Sequence, residues 1–224
     1  MTLEAQAIHN FSQIRILMIL MLPQQKVIRG FSVVSADEII KKFNLKRLPE
    51  EGGFYAETYR SSEKIPKTAL PSRYDNDKSF GTAIYYLLTP DTCSALHRLP
   101  TDEIFHFYLG DPVIMLQLLP DGRSKKVTMG HDVEAGQQLQ VIVPRGVWQG
   151  SFLKEGGNFA LLGTTMAPGF DFSDYETSDR KNLIERYSEH KELIIELTAQ
   201  HARDSEVALA FTLTEWPMNR CDLA

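Results

Sequence analysis

Two stretches hold the residues best suited to chemistry. In Ser94–Gly110 (SALHRLPTDEIFHFYLG), His97 is followed six residues later by Glu103 and three beyond that by His106, and Gly110 closes the run. In Val143–Gly150 (VPRGVWQG), Trp148 and Gln149 come just after a Pro144-x-Gly146 turn. An imidazole with an ordinary pKa of ~6.5 suits proton transfer near neutrality. A carboxylate beside it can orient or tune it, and an amide can hydrogen-bond a substrate. A Pro-x-Gly turn between strands aims the residues after it at one point. A few polar groups converging in an apolar cavity are the usual makings of a small-molecule site. Each residue also has a structural use. His97 with Arg98 can end a strand and satisfy neighbouring carbonyls. Glu103 can bridge to Arg60 or Arg98, His106 can be a packed strand histidine, and Trp148 can be core rather than a stacking platform.

The elements that must position these side chains are mostly strands. Ser35-Ala36-Asp37-Glu38 reads as a capping box opening a short amphipathic helix through Ile39, Ile40 and Phe43. Glu51-Gly52-Gly53 is a turn. Strands are predicted at Phe54–Arg60, Thr82–Thr89, Thr92–His97, Glu103–Leu109, Val113–Leu119, Lys126–Met129, Leu139–Val143, Val147–Leu153 and Phe159–Met166. Between the first two, Pro66–Lys78 is polar with two prolines and reads as a loop or flap. Many short strands at regular spacing with Gly, Pro and Asp turns imply a sandwich or barrel. Asp179–Thr198 has spacings that suit one or two amphipathic helices. Strict alternation puts Glu57 and Tyr59 on one face of their strand and Arg60 on the other. Pro168-Gly169-Phe170 is a turn with a structural use or a place at a pocket mouth.

Composition narrows the class. The 224 residues are 43% hydrophobic and 24% charged with a net charge of −5, enough to bury a core without disulfides or metal staples. No basic stripe exists for nucleic acid. Ile14–Leu22 is apolar but broken by Arg15 and far short of a bilayer span, so no membrane role is expected. It reads as part of a leader over residues 1–34, ahead of a domain over 35–198 and a tail over 199–224. The two cysteines, Cys93 and Cys221, are far apart and indicate neither a disulfide framework nor a zinc site. A reducing cytoplasm is the simplest compartment.

At these motifs the chain resembles the cupins. His97 matches the first histidine of the first cupin motif, Leu99 stands where the second histidine belongs, and Glu103 and Gly110 match the rest. In the second motif Pro144 and Gly146 match, and Gln149 replaces the final histidine. Glu51-Gly52-Gly53-Phe54-Tyr55, Glu57-Thr58-Tyr59-Arg60-Ser61, Asp102-Glu103-x-x-His106, Pro144-x-Gly146-x-Trp148-Gln149 and Ala167-Pro168-Gly169-Phe170 are similar to the fifth cupin subfamily, a domain of unknown function. The resemblance implies an all-β fold with flanking helices, the double-stranded β-helix or jelly-roll barrel shared with deoxysugar epimerases and seed storage proteins. It also implies a homodimer.

The resemblance implies a site of His97, Glu103 and His106 as candidate catalytic groups, with Glu57, Tyr59, Arg60, Trp148 and Gln149 as candidate ligand contacts. An ordinary metal cupin offers three histidines and a glutamate. Here the set would be His97, Glu103 and Gln149, so no metal or other cofactor is expected. The leading expectation is metal-independent isomerase, epimerase or lyase chemistry on a small polar metabolite, a sugar or sugar nucleotide. The alternatives are a binding or sensor module without turnover, and a metal-dependent dioxygenase or decarboxylase.

Overall fold

A computed structural model describes residues 34–198. The leader, apart from Val34, and the tail lie outside the described residues. The first element is helix α1 (Ala36–Phe43). Ser35 Oγ accepts from the Glu38 amide at 3.2 Å, and the Glu38 carboxylate accepts from the Ser35 amide at 2.8 Å. This is the reciprocal cap predicted from sequence. Asn44 ends the helix in the left-handed conformation, with φ 51°.

Thirteen strands follow in the described residues: β1 (Lys46–Arg47), β2 (Phe54–Arg60), β3 (Lys64–Ile65), β4 (Lys78–Ser79), β5 (Thr82–Leu88), β6 (Cys93–Arg98), β7 (Glu103–Gly110), β8 (Val113–Leu118), β9 (Ser124–Met129), β10 (Gln140–Val143), β11 (Trp148–Leu153), β12 (Ala160–Met166) and β13 (Glu176–Thr177). They form a six-stranded sheet in the order β1-β2-β5-β12-β7-β10, a five-stranded sheet in the order β13-β6-β11-β8-β9, and the short pair β3-β4. Every strand pair is antiparallel. The sequence places each long strand within about two residues of its observed bounds, because turn residues mark both ends.

The inner faces of the two sheets enclose one apolar cluster, including Tyr86, Leu88, Phe105, Phe107, Met115, Val141 and Leu162. A second cluster covers the outer face of the five-stranded sheet. There Leu96, Leu116 and Leu118 pack against Leu183 and Tyr187, from helix α2 (Arg180–Arg186) and its C-cap, and against Ile194 and Leu197 of the helical residues 191–198. β8 is therefore buried on both faces, with Met115 inward and Leu116 outward. The flanking helices exist to cover that outer face.

The Pro66–Lys78 stretch is pinned at one end rather than free as a flap. Tyr74 is 1% exposed, and its hydroxyl shares a hydrogen bond with the Thr101 hydroxyl at 2.8 Å. Lys78 is 2% exposed, and its ammonium donates to Asp174 at 2.6 Å. Buried Tyr74 and the buried ion pair supply the anchoring that a count of prolines and polar residues does not reveal.

Candidate functional site

His97, Glu103 and Gln149 meet inside the barrel. The turn that precedes Gln149 is tied to the connection that precedes Glu103: the Gly146 amide donates to Leu99 O at 2.9 Å, and the Arg145 amide donates to Asp102 Oδ1 at 2.7 Å. Gly146 takes φ 75°, a left-handed turn position suited to glycine. This docking sets the pairing of Gln149 opposite His97 across β11 and β6.

The protonation pattern follows from the hydrogen bonds. His97 Nδ1 lies 2.7 Å from the Ala95 carbonyl oxygen, so Nδ1 carries the proton and donates to it. Nε2 is then an acceptor, 3.3 Å from Gln149 Nε2. The same Gln149 Nε2 donates to Glu103 Oε2 at 2.6 Å. Gln149 thus spends its amide donors on a base and an acid, and its carbonyl oxygen is buried with no partner. The Tyr175 ring stacks on His97 at 4.9 Å, and its hydroxyl is likewise buried with no partner. Burial holds the His97 imidazole below its ordinary pKa, against the pull of the nearby Glu103 carboxylate.

A cavity of about 260 Å³ opens beside this cluster. Glu103 and Glu51 line it together with Leu99, Met166, Phe170 and Phe172. Glu51 belongs to the turn read from sequence only as punctuation. Gly52 and Gly53 take φ 92° and 70°, and the Ala95 amide donates to Glu51 O at 2.8 Å. Those contacts hold the Glu51 side chain inward, where Ser94 Oγ donates to its Oε1 at 2.7 Å. A Cβ on Gly53 would come within 2.8 Å of the Tyr86 hydroxyl, which itself donates to Gly52 O at 3.0 Å. Desolvation pushes the Glu51 carboxyl up to about 7, although the hydrogen bond from Ser94 pulls the other way. Glu103 is raised as well, first by burial and next by the charge of Glu51. Two carboxyl groups facing one small cavity resist ionising together.

The other expected site residues separate. Glu57 and Arg60 both line the cavity, whereas Tyr59 is 57% exposed and does not. The pairing of β2 with β5 slips between Glu57 and Tyr59. That irregularity corrects the strict alternation expected from sequence and brings Arg60 to the Glu57 side. The Arg60 Nε and Nη2 donate to the Glu57 carboxylate at 3.0 and 2.6 Å, and Nη1 donates to Phe170 O at 3.0 Å. His106 points away from Glu103, bonded to the Thr165 hydroxyl at 3.0 Å and stacked on Tyr108. It keeps the odd-spacing parity of a strand and joins the outer face. Trp148 packs against the outer apolar cluster, with the Arg98 guanidinium 4.7 Å above its ring. It forms no part of the cavity wall. Phe170, in the turn after β12, does line the cavity. Sequence reasoning gives Glu51 and Tyr175 no site role: the first sits in a turn, and the second comes from a segment 78 residues after His97.

The donor set can be tested against a metal. At the point where the motifs converge stand one imidazole, one carboxylate and the amine side of one amide, with buried Leu99 where a second imidazole would be. Among the described residues no three His, Cys, Asp or Glu side chains gather in metal-holding positions. These residues do not fit a resident transition metal.

Two facing antiparallel sheets with paired polar groups between them define a jelly-roll barrel with an interior site. The chain belongs to the cupin superfamily (DUF985), whose pattern matches residues 37–178. It is 32% identical over 133 residues to the uncharacterized protein YML079W of Saccharomyces cerevisiae, a match covering 56% of this chain and 66% of that protein, just under two thirds of its length. The solved structure of protein SO0799 from Shewanella oneidensis is similar with a TM-score of 0.65 and 33% identity, covering 74% of this chain and 98% of that one. A hypothetical protein from Leishmania major is similar with a TM-score of 0.64 and 33% identity, covering 73% and 98%. No helix among the described residues is long and apolar enough to cross a membrane.

Proposed function

We propose that this cupin is an enzyme that moves protons on a small polar metabolite inside its barrel, by isomerase, epimerase or lyase chemistry that uses no resident metal. The observation that carries this reading is that Glu51 and Glu103 line one cavity, with Glu51 raised to about 7. A carboxyl tuned to neutrality can act as acid or base at working pH. With one of the pair ionised and the other protonated, the carboxylate takes a proton from a carbon next to a carbonyl. The C–H electron pair moves into the new C=C bond, the carbonyl pair moves to oxygen, and the protonated carboxyl supplies that oxygen's proton. Reprotonation of the same carbon from the other face, with the enol proton returned to the now-ionised carboxyl, gives an epimer; protonation of the former carbonyl carbon, with the proton of the neighbouring hydroxyl passed to that carboxylate, gives an isomer. Leu99, Met166 and Phe170 supply the apolar part of the wall.

The charges around the cavity disfavour a sugar nucleotide. Arg60, the one cationic residue of the cavity wall among the described residues, is bound to Glu57 and is not free for a diphosphate. The test is solvent exchange: a panel of aldoses, ketoses and small keto compounds in deuterated water, followed by proton NMR. Deuterium uptake at a carbon next to a carbonyl, lost in Glu51→Gln and Glu103→Gln, supports the reading. Binding without exchange across the panel would overturn it in favour of a second reading, a non-catalytic binding or sensor module. One observation favours that second reading: His97, the ordinary base, has its Nε2 capped by Gln149 and a face covered by Tyr175.

We also propose a homodimer working in the cytoplasm. Exposed Tyr108 and Ile142, on the outer faces of β7 and β10, support pairing through that sheet. Sedimentation as a monomer at micromolar concentration would refute the dimer.

A further inference from the structure

The cavity has an unequal balance of charges and hydrogen-bonding groups. Its lining includes three carboxyl residues, Glu51, Glu57 and Glu103, against one cation, Arg60. Arg60 spends its donors on Glu57 and on the Phe170 carbonyl. The other cations nearby are also paired. Lys78 is bound to Asp174 at 2.6 Å, and Arg98 to Glu176 at 2.6 Å. Arg60 is thus the described cation in the cavity wall, and it is already paired.

The inner end is rich in acceptors. Ser94 and Gln149 donate to Glu51 and Glu103 through one oxygen each. Next to Glu103, the carbonyl oxygen of Gln149 is buried without a partner, on a side chain only 2% exposed. Gln149 cannot turn this oxygen inward to a protein donor, because its amine already serves His97 and Glu103 together. The cavity also carries the aromatic rings of Tyr55, Phe170 and Phe172, and aromatic faces attract cations. The carboxyl pair and the rings select the same ligand charge.

We propose that the ligand of this cavity is a small organic cation, a metabolite whose primary ammonium group sits against Glu51 and Glu103. The N–H donors of an ammonium match the acceptor oxygens of Glu51 and Glu103 in the cavity wall. The apolar remainder of the wall takes the carbon skeleton, and 260 Å³ limits it to a compact molecule. This proposal rests on the reading of the cavity as the working site and adds the charge class of what it takes.

A charge series on one skeleton tests it. Benzylamine, benzyl alcohol and benzoate are titrated calorimetrically into the full-length protein and into the Glu51→Gln and Glu103→Gln variants. Benzylamine is expected to bind at least tenfold more tightly than benzyl alcohol, with benzoate weakest. Each variant is expected to lose most of the amine's advantage over benzyl alcohol while keeping the parent's circular dichroism spectrum, which separates charge recognition from unfolding. No measurable benzylamine binding, or alcohol or benzoate binding equal to or tighter than the amine, overturns the proposal. Solvent exchange on an uncharged substrate alongside that failure would leave the proton-transfer reading intact. Amine binding with no exchange on any amine-bearing carbonyl compound would keep the charge assignment and remove the chemistry.

Discussion

Replacing Glu51 by Gln should change how the stability of the protein depends on pH, and in a direction opposite to the common acidic residue. The Glu51 carboxyl has its pKa raised from 4.5 to about 7 by desolvation. A group raised on folding stabilises fully below its unfolded pKa and loses that contribution as pH rises through its folded pKa. The window is therefore about pH 4.5 to 7. At ~1.4 kcal/mol per pH unit, the contribution lost across it is about 3 kcal/mol. Glu103 is raised too, partly by the charge of Glu51, so its loss adds in the same direction. His97 works against both. Its pKa is lowered by burial, so its contribution is present above the ordinary histidine value and is lost as pH falls through the lowered one. Comparing parent and variant cancels most of the histidine effect. Gln keeps the shape and can still accept from Ser94, but has no proton to lose. Urea denaturation followed by tryptophan fluorescence from pH 4.5 to 8.5 reads the difference. Glu51→Gln should gain about 3 kcal/mol on the parent between the ends of that range. For a urea m-value of ~2 kcal/mol/M this is a midpoint shift of about 1.5 M. Parallel pH profiles for the two proteins would refute the desolvated carboxyl and with it the tuned acid–base pair.

Other outcomes follow from the same contacts. Gly53→Ala should destabilise by about 2 kcal/mol or more, since the residue has φ 70° and the added carbon meets the Tyr86 ring at 2.8–2.9 Å; an unchanged urea midpoint would contradict the contact. Lys78→Met should cost about 3–5 kcal/mol by leaving Asp174 charged and buried, and the double variant with Asp174→Leu should recover much of it. Leu116→Ala should cost about 2–5 kcal/mol, because Leu116 is fully buried between the sheet and the C-terminal helices. Elemental analysis of protein purified without chelator should find no stoichiometric transition metal; a near-equimolar metal lost in His97→Ala would overturn the reading of the donor set.

The sequence carried the strands and the meeting of His97, Glu103 and Gln149, because turn residues and motif spacing fix which positions oppose each other across β6, β7 and β11. It did not carry the cavity wall. Glu51 lies in a turn whose two glycines look like punctuation, and only their left-handed conformations and the docking onto Ala95 send its carboxyl inward. Arg60 reaches the wall through a register slip that alternation does not register. Tyr175 arrives from a distant segment, held beside β6 by the pairing of Glu176 with Arg98. Trp148 was drawn to the outer cluster by the helices that cover β8 and β11, a tertiary contact with no local signature.

Carbon-13 NMR titration of the glutamate carboxyls, with Glu51 and Glu103 assigned through their Gln variants, tests the central assignment most directly. Glu51 should titrate near pH 7, and the midpoint of Glu103 should fall when Glu51 becomes Gln. Both carboxyls titrating independently between about pH 4 and 5 would mean that they face bulk water rather than share one cavity.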